Sequence, residues 1–360
     1  MSGRKARVAV IGTGWWSTYT HIPGLQAQPD AELVAICDRS QEMLRKTADT
    51  YGPLSTYTDF QDMIRQERLD GVVIATEPGT HYELANACLE AGLHVMLEKP
   101  MVLQTALAHE LVNLANNKGV ALIIGYPWHY TENTRKAREV LGSGVLGTVQ
   151  FLSCVFASMA IEFYRDNPEA YREVFDFPVT NTRMKYSGAG LTVVGGQGHE
   201  QITHSAGSLL YVTGLQADSV SAYMDNCDVL VDVVDAIAVR FKSVDGQIAV
   251  GVIGSTGNLG VGDNDQLDIR IYCEKGYIIL NQVQGTLHVR HHDGREEQYG
   301  PLPEDDRYPR FATAKNLTDV ILGQAENGSP GELGARVVEI LDAAYRSAAA
   351  NGNAIRIDEL

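Results

Sequence analysis

The feature that most constrains this chain is an apolar segment that runs directly into two closely spaced glycines near the N-terminus. Residues 7–11 are mostly apolar and β-branched, and they are followed by Gly12-Thr13-Gly14. Such a segment is typical of a buried parallel strand that meets a tight turn and then a helix. Glycines at this turn let the backbone approach a pyrophosphate, which the N–H groups of the helix N-terminus can bind. Ser17 stands where a third small residue lets helix and strand pack closely.

A second strand and an acidic residue strengthen the prediction of a dinucleotide site. The glycine pair alone is weak evidence for a dinucleotide site, because ordinary turns with this motif are commoner than binding sites. Here residues 32–37 form another apolar run that ends at Asp38, about 20 residues after the glycines. In dinucleotide-binding units an acidic residue at this place accepts hydrogen bonds from a ribose. We therefore predict that the chain binds NAD and prefers it to NADP, although Arg39 directly follows and could blunt that preference.

Length and charge narrow the class of protein. With 360 residues the chain is longer than a single hydrophobic core usually allows, so two domains are expected. The formal net charge of -16 argues against nucleic acid or an anionic membrane as a partner. No apolar run is long enough to span a membrane. Because the first strand begins within a few residues of the start, we expect no signal peptide. Five scattered cysteines without a CxxC pair are typical of buried thiols, and we expect a cytoplasmic protein.

The order of segments predicts an α/β protein with two different domains. Residues 1–128 alternate apolar strands with helices, which is typical of right-handed βαβ units in a doubly wound parallel Rossmann sheet that binds NAD. From about residue 148, long segments of alternating polarity are joined by hairpin turns. Residues 129–360 are therefore predicted to form an α+β domain with a large, mostly antiparallel open sheet, which binds substrate. Two helices, at about 311–327 and 332–350, close the chain.

The pattern of the second sheet also indicates that the protein self-associates. Its strands are long and alternating, and only two helices are predicted near them, so one face lacks a cover. We expect a homo-oligomer, a dimer or a tetramer, that buries this face.

Ligands of doubly wound sheets bind in the crevice outside the carboxyl ends of the strands. The predicted strand ends carry residues 12–16, Asp38, residues 76–78, residues 98–100 and residues 126–130. Lys99 is the clearest candidate for chemistry, because burial at a strand end beside a cationic nicotinamide disfavours the charged form of a lysine. It could act as an acid or base, or donate to a developing alkoxide. The alternative is an ordinary surface lysine in a loop.

A second group of polar residues follows the glycine-rich residues 194–198. Glu200 and His204 are four residues apart, so on a helix they share one face. A carboxylate there can hold the tautomer of an imidazole, which can take a hydroxyl proton as hydride leaves the same carbon. The alternative is a solvated Glu–His pair. Because His199, Glu200 and His204 lack the spacing of an HExxH zinc site, no metal is predicted.

All three tryptophans, Trp15, Trp16 and Trp128, fall on predicted loops of this crevice. Core positions are the usual ones for tryptophan, but two adjacent tryptophans on a phosphate-binding loop cannot both face a core. At least one is therefore expected to contact a ligand or the second domain, and the flat apolar faces of sugars suit such rings.

On these residues the chain resembles the Gfo/Idh/MocA family of oxidoreductases over nearly its whole length. The resemblance rests on Gly12-Thr13-Gly14, Asp38, Ala75-Thr76 with Pro78 and His81, Glu98-Lys99-Pro100, and the glycine-rich segment that leads to His204. It implies a Rossmann domain and a second α/β domain whose open sheet commonly forms the oligomer interface. It also implies oxidation or reduction of sugars, cyclitols and related polyols with NAD(P).

The resemblance, together with the predicted strand ends, assigns expected roles to individual residues. The expected catalytic set is Lys99, Glu200 and His204. The expected cofactor contacts are Gly12, Thr13, Gly14, Trp15, Trp16, Asp38, Arg39, Thr76, Pro78, His81, Glu98 and Lys99. The expected substrate contacts are Lys99, Trp128, His129, Tyr130, Glu200 and His204.

Three departures from the family pattern leave alternatives open. Glu200 stands where the family usually has aspartate, residues 126–130 replace a segment that often carries Asn and Arg, and Glu77 replaces a proline. The first hypothesis is an NAD-dependent dehydrogenase of a sugar, cyclitol or glycoside. The second is a redox-neutral enzyme that uses tightly held NAD to oxidise a glycoside transiently at C3 and so cleave it. The third is a non-catalytic NAD-binding sensor.

Overall fold

The first part of the chain builds a six-stranded parallel sheet in the computed structural model, which describes residues 3–52, 54–171 and 196–360. The strands are β1 (Ala6–Ile11), β2 (Ala31–Cys37), β3 (Ser55–Tyr57), β4 (Gly71–Ile74), β5 (His94–Leu97) and β6 (Leu122–Ile124). The helices between them are α1 (Ile22–Gln26), α2 (Gln41–Tyr51), α3 (Phe60–Gln66), α4 (Pro78–Glu90) and α5 (Thr105–Lys118). The strand order, β3-β2-β1-β4-β5-β6, is doubly wound, as predicted.

The strands of this sheet are apolar because helices cover both of its faces. All four residues of β4 are buried, and only one residue of β1 is partly exposed. Polar side chains mark where the helices begin. Ser40 accepts a hydrogen bond from the N–H of Met43 at the start of α2, and Asp59 accepts two at the start of α3. Local sequence therefore specifies both the buried strands and the helix starts.

The second part of the chain builds a nine-stranded mixed sheet. Its strands are β7 (Val149–Ala157), β8 (Gln216–Asp225), β9 (Val234–Lys242), β10 (Ile248–Thr256), β11 (Gln266–Cys273), β12 (Gly276–Asn281), β13 (Thr286–His291), β14 (Glu296–Tyr299) and β15 (Ile355–Arg356). The order is β14-β13-β12-β11-β7-β10-β9-β8-β15. Neighbours are antiparallel except β7 and β10, which run parallel, so the prediction of a mostly antiparallel sheet is confirmed.

Helices cover one face of the second sheet. The helices in this part of the chain are α6 (Glu132–Gly142), α7 (Ile161–Tyr164), α8 (Thr203–Thr213), α9 (Glu304–Arg307), α10 (Ala312–Ile321) and α11 (Gly331–Ala349), and among them α6, α8 and α11 pack on the second sheet. α11 packs on β8 and α8, and α6 packs on α8. In β9, buried and exposed residues alternate strictly, because one face meets this helical layer and the other does not.

The end of the chain returns to the first sheet. Ala314 and Leu317 of α10 are fully buried in a cluster with Val8 and Val10 of β1. Residues beyond 129 thus complete the cover of the sheet formed by residues before 128, and the division of the chain at 128/129 stays a prediction. The predicted helix at 311–327 is shorter than expected and ends at Ile321, because Gly323 adopts a left-handed φ of 68°.

The cysteines behave largely as expected. Cys37, Cys88, Cys154 and Cys273 are buried free thiols, whereas Cys227 is exposed. Among the helices of the described residues, none has both the length and the apolar character needed to cross a bilayer.

Candidate active site

The turn after β1 has the shape that a dinucleotide requires. Gly12 has a φ of 92°, and a Cβ at this position would collide with the carbonyl oxygen of Ala75. Only glycine fits there without strain. Gly14 is exposed, and no atom lies within 4 Å of the position where its Cβ would stand. The first glycine therefore serves the fold, and the second leaves space for a ligand to reach the backbone.

Asp38 braces this turn from the end of β2. Its Oδ2 accepts hydrogen bonds from the backbone N–H of Thr13 at 2.8 Å and from the Thr13 hydroxyl at 2.9 Å. Its Oδ1 accepts one from the N–H of Ser40. Thr13 is fully buried in this role, whereas Asp38 and Arg39 both line the cavity described below. The acidic residue thus shapes the glycine turn and also faces the cavity.

His81 does not face the cofactor site, contrary to prediction. It is fully buried, and its Nε2 lies 3.1 Å from the carbonyl oxygen of Thr76 while Nδ1 lies 2.9 Å from that of Pro100. Burial lowers the pKa of this imidazole, so the neutral ring binds one carbonyl at a time as a donor. His81 therefore joins the loops that follow β4 and β5.

Glu98 organises the buried side of the site. Its Oε1 accepts hydrogen bonds from Nε1 of Trp16 at 2.9 Å and from Nε2 of His21 at 2.8 Å, and its Oε2 accepts one from the N–H of Lys99. Burial alone raises the pKa of the carboxyl, but His21, Lys99 and Trp16 together outweigh it and lower that pKa. The sequence analysis missed His21. It ends a π-helical turn, Ser17–His21, and nothing in the local sequence marks that turn.

Lys99 and Glu200 form an ion pair inside the cavity. Lys99 Nζ lies 2.8 Å from Oε2 of Glu200, and it also donates to the backbone carbonyl of Glu200 at 3.2 Å. The two side chains are only 18% and 14% exposed, so they interact in a partly desolvated setting. Lys99 is therefore held in one position at the carboxyl end of β5, and the alternative of a loose surface lysine does not apply.

Asp232 holds the chain segment that carries Glu200. It accepts hydrogen bonds from the N–H groups of Gly196 and Gly198 and from the hydroxyl of Tyr345. A Cβ at Gly196 would collide with the carbonyl oxygen of Asp232, which explains a glycine there. Residues 194 and 195 of the predicted glycine-rich segment lie outside the described residues. The π-helical turn Gly198–Ile202 then leads into α8.

His204 lies in the same cavity but is not paired with Glu200. The predicted Glu200–His204 hydrogen bond is absent, and Nδ1 of His204 has no hydrogen-bond partner among the described residues. Burial, followed by the charge of Lys99, lowers the pKa of His204 well below its usual value, so the imidazole is neutral near pH 7. The carboxylate of Glu200 turns to Lys99 because an ammonium attracts it more strongly than a neutral ring does.

The predicted segment 128–130 divides between the cavity and the core. Trp128 lines the cavity, and its ring centre lies 5.4 Å from that of His204 and 4.9 Å from that of Tyr308. His129 and Tyr130 are not brought there, which corrects their prediction as substrate contacts. His129 is fully buried, bonded to Ser329 and stacked on Tyr211, and Tyr130 bonds to Asn316. The three residues form a 3₁₀ turn, which spreads neighbouring side chains in different directions.

One continuous cavity of about 1900 Å³ joins these groups. Of the predicted residues, those that line it are Gly12, Gly14, Trp15, Trp16, Asp38, Arg39, Thr76, Pro78, Glu98, Lys99, Trp128, Glu200 and His204. The second domain adds residues that the sequence analysis missed: Phe156, Tyr164, Asp265, Arg307 and Tyr308. No local motif marks them, because long-range strand pairing and loop folding bring them together. No cluster of metal-ligating side chains occurs among the described residues.

Comparison with known proteins agrees with this geometry. Residues 6–126 match the model of the Gfo/Idh/MocA family, described as an oxidoreductase family with an NAD-binding Rossmann fold. The D-glucoside 3-dehydrogenase of Escherichia coli is 33% identical over 149 residues, which are 41% of this chain and 42% of that protein. The myo-inositol 2-dehydrogenase of Thermotoga maritima is 31% identical over 141 residues, 39% of this chain and 42% of that protein. The matching segments thus span about two fifths of the length of these curated relatives.

Solved structures share the fold over nearly the whole chain. GenD2 from gentamicin A biosynthesis, solved in complex with NAD, has a TM-score of 0.78 at 22% identity and covers 99% of this chain and 97% of its own. An oxidoreductase domain protein from Kribbella flavida has a TM-score of 0.82 at 18% identity, with 99% and 100% covered. The fold and the glycine turn define an NAD-binding Rossmann protein with a second, mixed-sheet domain. Its residues 6–126 match the Gfo/Idh/MocA family of oxidoreductases, in agreement with the resemblance seen in the sequence.

Proposed function

We propose that this protein is an NAD-dependent oxidoreductase that acts on a CH–OH group of a sugar, cyclitol or glycoside. The observation that carries the proposal is the position of Lys99. The lysine that follows β5 lies in one cavity with the glycine turn, is ion-paired to Glu200, and shares that cavity with the neutral imidazole of His204. A binding protein without catalysis has no need for a partly buried cation in one cavity with an imidazole whose Nδ1 has no partner among the described residues.

The residues that would hold NAD are those of the glycine turn, Asp38 and the strand ends that line the cavity. When bound, NAD supplies the acceptor for hydride from a carbinol carbon. The ammonium of Lys99 stabilises the negative charge that develops on the substrate oxygen. His204 is neutral, so a ring nitrogen can take the hydroxyl proton. Glu200 fixes Lys99 in place, in contrast to the predicted role of orienting His204.

A polyol substrate is consistent with the walls of the cavity. Trp16, Trp128 and Tyr308 present aromatic rings close to the catalytic groups. Such rings pack against the apolar faces of sugars, while Lys99 and His204 bind hydroxyl groups. The curated relatives named above include a glucoside and an inositol dehydrogenase, which agrees with this class of substrate.

We further propose that the protein forms a dimer or tetramer through the outer face of the second sheet. Val250 is 51% exposed and Val155 is 50% exposed, and Phe151 and Val252 extend the same apolar surface. β7 and β10, which carry these residues, are neighbours in the middle of the sheet. Contiguous apolar surface of this kind marks a protein interface.

The test of the activity begins with the purified protein and identification of any nucleotide released on denaturation. The protein is then incubated with NAD and a panel of free sugars, inositols and methyl glycosides. Net NADH formation supports the proposed dehydrogenase. Cleavage of a glycoside without net NADH would replace it with the redox-neutral cleavage reaction. NAD binding without any turnover would replace it with a sensor.

A further inference from the structure

Asp265 places a carboxyl group on the substrate side of the cavity. It directly precedes β11, whose Gln266 pairs with Ala157 at the end of β7. That register puts Asp265 beside the residues that follow Phe156, which lines the cavity and contacts Trp128 at 5.9 Å between ring centres. Asp265 itself lines the cavity and is half-buried. It therefore faces the space shared with Lys99 and His204.

Within the part of the chain that the structure describes, little stabilises the charge of this carboxyl group. Burial raises the pKa of Asp265 to about 6, and a hydrogen bond with the backbone of Met159 opposes that rise. It makes no ion pair with the described residues, and the nearby Asp263 is an exposed carboxylate that binds the N–H of Gly260. The ammonium in the cavity, Lys99, is engaged by Glu200. A desolvated acceptor that faces a ligand cavity is suited to hydroxyl donors of the ligand.

We propose that Asp265 is a substrate-binding residue whose carboxylate accepts hydrogen bonds from substrate hydroxyl groups that do not react. These bonds fix which CH–OH group of the polyol meets Lys99 and His204. The inference rests on the proposed function and deepens it, because it requires a substrate with at least two further hydroxyl groups. A site that binds a hydroxyl group discriminates strongly against the analogue that lacks it, since its acceptor is then left unpaired.

The ionised form of Asp265 accepts hydrogen bonds at both oxygens, so binding depends on its protonation. Because the pKa of the free enzyme's carboxyl is about 6, substrate affinity should fall as the pH drops below that value and level off above it. The other titratable groups that line the cavity include Glu98, Lys99, Tyr164, Glu200, His204, Glu304, Asp305, Arg307 and Tyr308. The proposed catalytic groups among them, Lys99 and His204, act on kcat as well as on KM, so a change confined to KM distinguishes Asp265 from them.

The experiment compares Asp265→Asn with the wild type, using NAD and either methyl β-glucoside or myo-inositol as the probe. The matched control is Asp263→Asn, two residues away, exposed and outside the cavity. Loss of charge-assisted hydrogen bonds should raise KM about tenfold to hundredfold and change kcat less than threefold. The rise of KM below about pH 6 should disappear in Asp265→Asn and persist in Asp263→Asn. A deoxy analogue should lose affinity for the wild type and little for Asp265→Asn.

Two results would overturn the inference while leaving the proposed function intact. One is a KM in Asp265→Asn that equals that of the wild type. The other is a rise of KM below about pH 6 that is as large in Asp265→Asn as in the wild type. If Asp265→Asn does not fold, calorimetry on the NAD-loaded wild type in two buffers replaces it. Probe binding near pH 6 should then release protons, and binding without proton release contradicts the proposal. If neither these probes nor any member of the panel of sugars, inositols and methyl glycosides reacts or binds, the proposed function fails and the inference fails with it.

Discussion

The two sheets of this protein bury their apolar residues in different ways. In the first sheet, β1 and β4 are buried along almost their whole length, because helices lie on both faces. In the second sheet, β9 and β10 alternate between buried and exposed residues, because helices cover one face only. The uncovered face of the second sheet is nevertheless apolar, with Val250 and Val155 each about half exposed.

This difference explains where each sheet can act. A parallel sheet covered on both faces is open only at the ends of its strands, so Asp38 and Lys99 face the cavity from those ends. The second sheet supplies one face to the helix that carries His204 and leaves the other face open for the proposed partner. In the proposed function, the first sheet therefore supplies the cofactor site, and the second combines a wall of the cavity with the proposed interface.

The largest effect should follow from removing Lys99, the catalytic group that the first sheet contributes. Lys99→Met keeps the length of the side chain and removes the charge that the developing oxyanion needs. We expect kcat to fall about 10²–10⁴-fold, with little change in NAD affinity measured by calorimetry. The control is Lys315→Met, which also lines the cavity but pairs with Asp319. Turnover of Lys99→Met within threefold of the wild type would show that the first sheet only binds the cofactor.

The glycine turn separates the demands of the fold from those of the ligand. Gly12→Ala places a Cβ against Ala75 at a φ of 92°, so we expect it to lose about 1–3 kcal/mol of stability and to bind NAD poorly. Gly14→Ala has open space, so its melting temperature without NAD should match the wild type while its NAD affinity falls. Thermal melting and NAD titration measure both effects. Equal melting temperatures for the two variants would contradict this division of roles.

Charge on the open face of the second sheet should separate the subunits. Val250→Glu places a carboxylate next to Phe151 in the middle of that face, and burying it against a partner is costly. Light scattering should then report the mass of one chain, 39.3 kDa, where the wild type reports a multiple of it. Val244→Glu is the control, because Val244 is 92% exposed in the turn between β9 and β10. A wild type that is monomeric at micromolar concentration contradicts the proposed interface.

The smallest change concerns the choice of cofactor at the end of β2. The wild type should use NAD more efficiently than NADP, because the Asp38 carboxylate repels a 2′-phosphate. Asp38→Asn keeps an oxygen that can accept from Thr13, yet removes the charge. We expect the ratio of kcat/KM for NAD over NADP to fall at least about tenfold, which corresponds to about 1.4 kcal/mol. Comparable efficiency of the wild type with both cofactors would argue that Arg39 dominates.

Local sequence was sufficient to predict much of the fold. The apolar runs that became β1, β2, β4 and β5 and the alternating strands of the second sheet were predicted from periodicity alone. The strand-end rule placed Lys99 and Asp38 at one crevice, and both line the observed cavity. The helix at residues 312–321 was also predicted, but its packing under the first sheet was not, since no local pattern encodes a partner some 300 residues away.

The sequence by itself therefore determined the order of the elements, the dinucleotide turn and the candidate catalytic residues, because these depend on spacing along the chain. Tertiary structure alone decided which side chains meet. Glu200 pairs with Lys99, 101 residues away, and not with His204, its neighbour on the helix. His81 and His129 became buried structural residues, and Asp265 entered the cavity. The physical reason is that burial and charge set these pairings, and both arise only when distant parts of the chain pack together.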